Sequence, residues 1–135
     1  MEWTLEVVCV PVSDVDRARE FYAGKMGFAL DHDTAIGSVR IVQLTPRGSG
    51  CSIVLGTTDM APGSLRGLQL VVRDIRAARA ELAGRGVEIG EVQVYDRDGS
   101  RRPARDDDAL DNVGFAFFAD PDGNTWSLQQ IDART

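Results

Sequence analysis

Val12-Ser13-Asp14-Val15-Asp16-Arg17-Ala18-Arg19 is answered sixty residues later by Val72-Arg73-Asp74-Ile75-Arg76-Ala77-Ala78-Arg79. Carried on to Gly24 and Gly84, the two stretches share Val12, Asp14, Ala18, Arg19, Ala23 and Gly24 with Val72, Asp74, Ala78, Arg79, Ala83 and Gly84, six identities in thirteen columns. A chain that repeats itself in this way is built from two copies of one supersecondary unit, each of which needs its twin to bury an apolar face. A site is expected in the groove between the halves.

Outward from each repeat the pattern is the same. The run 5–12 is rich in β-branched residues and reads as a buried strand. A helix follows, with Ser13 and Asp16 in capping-box spacing and Val15, Ala18, Tyr22 and Met26 on one apolar stripe, closed by Gly24 and Gly27. Strands are expected over 28–32, 38–44 and 51–55, the last two joined by the turn Pro46-Arg47-Gly48-Ser49-Gly50. In the second half Leu68, Leu70 and Val72 share one strand face. Asp74 is the helix N-cap, Ile75, Ala78 and Leu82 form the helix stripe, and strands are expected over 87–94, 113–119 and 125–130. Both halves therefore read βαβββ, the first module over 3–56 and the second over 67–131, within a single domain of 1–135. Past the second helix the repeat offset grows from 60 to 75, where Pro46, Gly48 and Ser52 meet Pro121, Gly123 and Ser127. The extra residues fall in 95–112, a polar segment that is either a lid over a site or a solvated excursion.

At 135 residues, 43% hydrophobic and 27% charged, the chain has enough apolar surface for one substantial core. Its net charge of −6 and its arginines interleaved with aspartates argue against nucleic acid. No apolar run is long enough for a membrane span, and residues 1–6 carry no basic leader, so a cytoplasmic location is expected. Cys9 and Cys51 stand in no metal-ligand spacing and read as buried thiols, with a disulfide as the alternative.

The tandem βαβββ order resembles the vicinal oxygen chelate superfamily of glyoxalase I, bleomycin-resistance proteins and extradiol dioxygenases. So do D-[VI]-x-x-A-R at each helix start and Phe118-Ala119-Asp120-Pro121-Asp122-Gly123-Asn124-x-Trp126. The resemblance covers nearly the whole chain and implies an α+β fold, a curved mixed sheet around a groove that holds ligands, and a homodimer. It also implies where metal-using members keep their ligands: a His seven residues before each capping Asp and a Glu on the last strand of each half. Here those positions hold Val7, Gly67, Ser127 and Ser52, or Ile53 with a one-residue shift. None is a donor for a divalent ion, and the single histidine, His32, matches no ligand position. No metal and no other cofactor is expected.

Strand alternation from the lost ligand positions labels the groove side. In the first half it carries Trp3, Leu5, Val7 and Cys9, with Arg40, Val42, Ser52 and Val54 added by the repeat. In the second it carries Gly67, Gln69 and Val71, and symmetric pairing about the Asp120–Asn124 turn sets Phe117 opposite Ser127 and Phe115 opposite Gln129. A one-residue slip in register exchanges these for their neighbours. The candidate ligand-binding residues are Val7, Arg40, Ser52, Gln69, Phe115, Phe117, Ser127 and Gln129, together with Tyr95 of the inserted segment; no catalytic residue is assigned. Such a lining suits a small, flat, partly apolar or aromatic molecule, whereas apolar residues at these positions also suit a filled core. The alternative function is a metal-independent isomerase, lyase or hydrolase. It needs a proton-transfer group from Tyr95, His32 or the acids of the inserted segment. The acidic turn Asp120–Asn124 is read as a hairpin turn rather than a calcium loop, because its Pro, Gly and Asn suit tight backbone geometry.

Overall fold

The computed structural model describes residues 1–132. The chain forms two compact units: Met1–Leu65 with the excursion Asp120–Asn124, and Arg66–Ala119 with the described residues from Thr125 onward.

The first unit is a four-stranded sheet of order β1-β4-β3-β2, built from β1 (Val7–Val10), β2 (Ala29–Ile36), β3 (Val39–Thr45) and β4 (Ser52–Leu55). β1 runs parallel to β4, and the rest is antiparallel. Helix α1 (Val15–Arg19) starts at Asp14, whose carboxylate accepts from the Arg17 N–H at 3.0 Å. The expected capping box is therefore not the one used: Ser13 donates its N–H and hydroxyl to Asp122 instead. Past Arg19 the helix widens to π geometry over Glu20–Lys25. The wider turn sets two neighbouring aromatics inward, where Phe21 and Tyr22 are both buried with ring centroids 5.0 Å apart. Val10, Ala18, Val42, Leu44 and Leu55 complete the core, each at 1% exposure or less.

The excursion Asp120–Asn124 is held by its own first residue. Asp120 Oδ1 accepts the N–H groups of Asp122, Gly123 and Asn124, each at 3.0 Å. Its Oδ2 accepts the Tyr22 hydroxyl and the Asn124 carboxamide, both at 2.7 Å. Asn124 also donates to the Pro11 carbonyl and accepts from the Leu65 N–H. The tight turn accounts for Asp120, while Asp122 accepts from Ser13 and Arg17 through Oδ1 and keeps a buried Oδ2 with no hydrogen-bond partner among the described residues.

The second unit is a five-stranded sheet of order β5-β9-β8-β6-β7, built from β5 (Leu68–Val72), β6 (Gln93–Tyr95), β7 (Arg101–Pro103), β8 (Gly114–Ala119) and β9 (Thr125–Gln130). Helix α2 (Ile75–Gly84) is capped by Asp74, which accepts from the Ala77 N–H, and packs Ile75 and Leu82 into a core with Ala116, Phe118, Trp126 and Leu128. The strand expected over 87–94 narrows to β6 and one bridge between Ile89 and Phe118. The segment 95–112 is not one long loop. It begins as a hairpin in which Tyr95 pairs Arg101 and Gly99 takes a φ of +84°, so β7 becomes an edge strand. On its far side Arg102 forks onto Asp108 at 2.8 Å twice and reaches Asp96 at 3.1 Å. That guanidinium, helped by the Arg105 N–H, holds the Asp108 carboxyl well below the usual carboxylate range.

Candidate functional site

Alternation along the second sheet sorts its residues cleanly. Leu70, Ala116, Phe118, Trp126 and Leu128 turn to one side, where all but the half-buried Leu70 are fully buried. Gln69, Val71, Phe115, Phe117, Ser127 and Gln129 turn to the other. Phe117 stands opposite Ser127 and Phe115 opposite Gln129, the register that symmetric pairing about the turn predicts. Gln69 lies beside Ser127 on the parallel strand.

On this second face the aromatic rings line up. Phe115 and Phe117 are near-parallel with centroids 6.3 Å apart, and Tyr95 meets Phe115 edge-on at 5.1 Å. The Arg101 guanidinium carbon lies 4.7 Å from the Phe117 centroid. Arg101 is on β7 and Phe117 on β8, with β6 between them, so this contact requires the sheet to curl toward the aromatic face. Beside the rings runs a polar strip. Gln69 donates to Gln129 at 2.6 Å, Ser127 donates to Gln69 at 3.3 Å, and Gln129 donates to the Asn112 carbonyl at 2.9 Å. The carboxamides are thereby oriented before any ligand arrives. Val71 and Tyr95 remain about two-fifths exposed, at 41% and 37%. The arrangement offers a curved aromatic floor with an amide and hydroxyl edge, suited to stacking and a few directed hydrogen bonds.

The first sheet treats its candidates differently. Val7 is paired with Ser52, whose hydroxyl lies 2.6 Å from that of Thr45. Arg40 and Val42 are not on that face. Gln43 pairs with Val54 and Leu44 with Ile53, so Thr45 and Gln43 share the face of Ser52, while Val42 and Arg40 turn to the helix side. The cause is loop parity: six residues, 46–51, join β3 to β4, whereas five, 120–124, join β8 to β9. An odd difference exchanges the two faces of a strand, so the repeat cannot be carried across it. Arg40 instead grips Asp33 through Nε and Nη2, both at 2.9 Å, and Asp16 of α1 at 2.8 Å. These bonds hold the Asp33 carboxyl below its ordinary range and push the Arg40 guanidinium up. Arg40 is a clamp between α1 and the β2–β3 hairpin, and it leaves the candidate set.

Arg101 is the residue that sequence reasoning missed. The signal was present, since Asp98-Gly99 in the middle of 95–103 is a hairpin dipeptide that pairs Tyr95 with Arg101.

A model of the Glyoxalase/Bleomycin resistance protein/Dioxygenase superfamily matches residues 4–128. The chain belongs to this superfamily. Among solved structures it is similar to TnmS3, an antibiotic binding protein from Streptomyces sp. CB03234, at 33% identity, with 96% of this chain and 97% of that chain covered and a TM-score of 0.74. It is similar as well to a glyoxalase/bleomycin resistance protein from the same Streptomyces, at 34% identity over 94% and 100% of the two chains, with a TM-score of 0.71. A superfamily member from Sphaerobacter thermophilus DSM 20745 matches at 27% identity over 96% and 98%, with a TM-score of 0.73. No curated protein matches the chain.

The positions at which the family resemblance places metal ligands hold Val7, Gly67, Ser52 and Ser127. Val7 and Ser52 lie side by side in the first sheet, and in the second the neighbour of Ser127 is Gln69 rather than Gly67, whose N–H is bonded to Thr125 Oγ1. Apolar, hydroxyl and carboxamide groups do not fit a divalent ion. Among the described residues no group of three or more His, Cys, Asp or Glu converges to hold one. His32 is exposed on β2 opposite Gln43. Among the described residues no helix is long and apolar enough to cross a membrane.

Proposed function

We propose that this protein binds a small, flat, partly apolar or aromatic molecule on the curled face of its second sheet, without a metal. The observation that carries this reading is the ring row Tyr95, Phe115 and Phe117 set beside the pre-oriented pair Gln69 and Gln129. Rings leave water on stacking, and fixed amides orient the ligand without a large ordering cost. The similar Streptomyces protein described as antibiotic binding supports an antibiotic as the ligand, and the ring row supports an aromatic one. The polar groups of the row and its edge are carboxamides, a hydroxyl, a phenol and a guanidinium, which favours holding a ligand over moving its protons. On this reading the protein acts as a cytoplasmic homodimer.

Calorimetric titration with a panel of aromatic antibiotics and metabolites, with and without a chelator, tests the proposal. Saturable binding that is indifferent to chelator and lost in Phe117→Ala is expected. Absence of binding across the panel, or affinity that appears only with added divalent metal, refutes it. Light scattering at twice the mass of one chain is expected for the dimer.

A further inference from the structure

Arg101 and Arg102 are neighbours on β7 with opposite fates. Strand alternation sends Arg102 to the acidic side of the hairpin, where Asp108 and Asp96 take up its fork. Arg101 goes to the aromatic side. There its guanidinium rests 4.7 Å from the Phe117 centroid and, among the described residues, makes no ion pair and no side-chain hydrogen bond. Three acids of the same segment are already used: Asp96 and Asp108 by Arg102, Asp108 also by the Arg105 N–H, and Asp98 by the Ser100 N–H. A cation is thus held by a ring rather than by a carboxylate, in a segment where carboxylates are plentiful.

We propose that the molecule taken on this face is a planar aromatic acid, and that Arg101 is the residue that reads its anionic group. The inference rests on the ligand face proposed above and names the class of ligand for it. Phe117 covers one side of the guanidinium and strips water from it, while the N–H donors stay available at the edge of the ring row. A ring laid on Phe115 brings a carboxylate substituent to those donors, which can take both oxygens at once. Gln69 and Gln129 serve the opposite, neutral edge of the ligand. The net charge of −6 disfavours anions at long range, so selection for the acid depends on this short-range fork. A cationic ring compound is repelled by Arg101 at the same place.

The test compares three probes of one shape: anthracene-2-carboxylate, anthracene-2-carboxamide and the anthracen-2-ylmethylammonium ion, titrated by fluorescence into the full chain. The expected order is carboxylate, then carboxamide about tenfold weaker, then the ammonium weaker again, as a charge-assisted hydrogen-bonded pair requires. Arg101→Met is expected to bring carboxylate and carboxamide to within about twofold of each other, whereas Arg97→Met on the same hairpin leaves their ratio unchanged. Phe117→Ala weakens all three. Equal affinities for carboxylate and carboxamide in the wild type, or a ratio unaltered in Arg101→Met while both still bind, overturns the role of Arg101 and leaves the ligand face standing. Binding of none of the probes overturns both.

Discussion

Removing the Tyr22 hydroxyl, as Tyr22→Phe, is expected to cost about 2 kcal/mol, because the bond lost is a 2.7 Å hydrogen bond to a buried carboxylate. Tyr22 is 0% exposed and Asp120 5%, so water does not replace the missing donor. Asp120→Ala is expected to cost about 4 kcal/mol, since it leaves three backbone N–H groups, the Asn124 carboxamide and the Tyr22 hydroxyl without that acceptor. The two changes are not additive. Once Asp120 is gone the buried hydroxyl is itself a liability, so the double variant is no less stable than Asp120→Ala, and a coupling of about 2 kcal/mol results. Urea unfolding followed by circular dichroism measures all four corners of the cycle. With a slope of about 2 kcal/mol per molar for a chain of this size, Tyr22→Phe lowers the midpoint by about 1 M at unchanged slope. A loss below about 0.5 kcal/mol for Tyr22→Phe, or strict additivity in the double variant, refutes the reasoning that Asp120 is the organiser of this turn.

Gly63→Ala is expected to cost about 3 kcal/mol or more, measured in the same way, because Gly63 has a φ of +78° and an added Cβ meets the Asp122 carbonyl oxygen at 2.0 Å. The Arg102–Asp108 fork gives a pH dependence. Asp108 is held below its ordinary value of 3.8 when folded, so its contribution is fully present above about pH 4 and is lost as pH falls below that value through the depressed one. Asp108→Asn lacks this acid-side loss, and urea midpoints at pH 5 and pH 2.5 in the two proteins show the difference. Arg40→Met is expected to lower the melting temperature by releasing α1 from the β2–β3 hairpin, with ligand affinity in calorimetry unchanged within about twofold. A large affinity loss in that variant returns Arg40 to the ligand face.

The superfamily and its α+β scaffold were legible in the sequence because their signals are local or periodic. Asp74 and its helix stripe, the Asp120–Asn124 turn, and the alternation that sets Phe115 and Phe117 against Gln129 and Ser127 each depend on residues close along the chain or on a period of two. Asp14 was legible as a cap through its repeat partner Asp74, whereas the capping box expected of Ser13 and Asp16 gave way because Ser13 is drawn to Asp122, 109 positions away. The face of β3 was decided by the parity of a loop, which no residue of β3 announces. The meeting of Arg101 with Phe117 depended on a hairpin adding β7 at the sheet edge and on the curl that carries it across β6. Sequence alone determined a duplicated scaffold and the strand alternation that sorts its second sheet. Tertiary structure decided which arginine is locked in an ion pair and which stands over the rings, because those contacts join strands that the chain separates and only the folded sheet brings together.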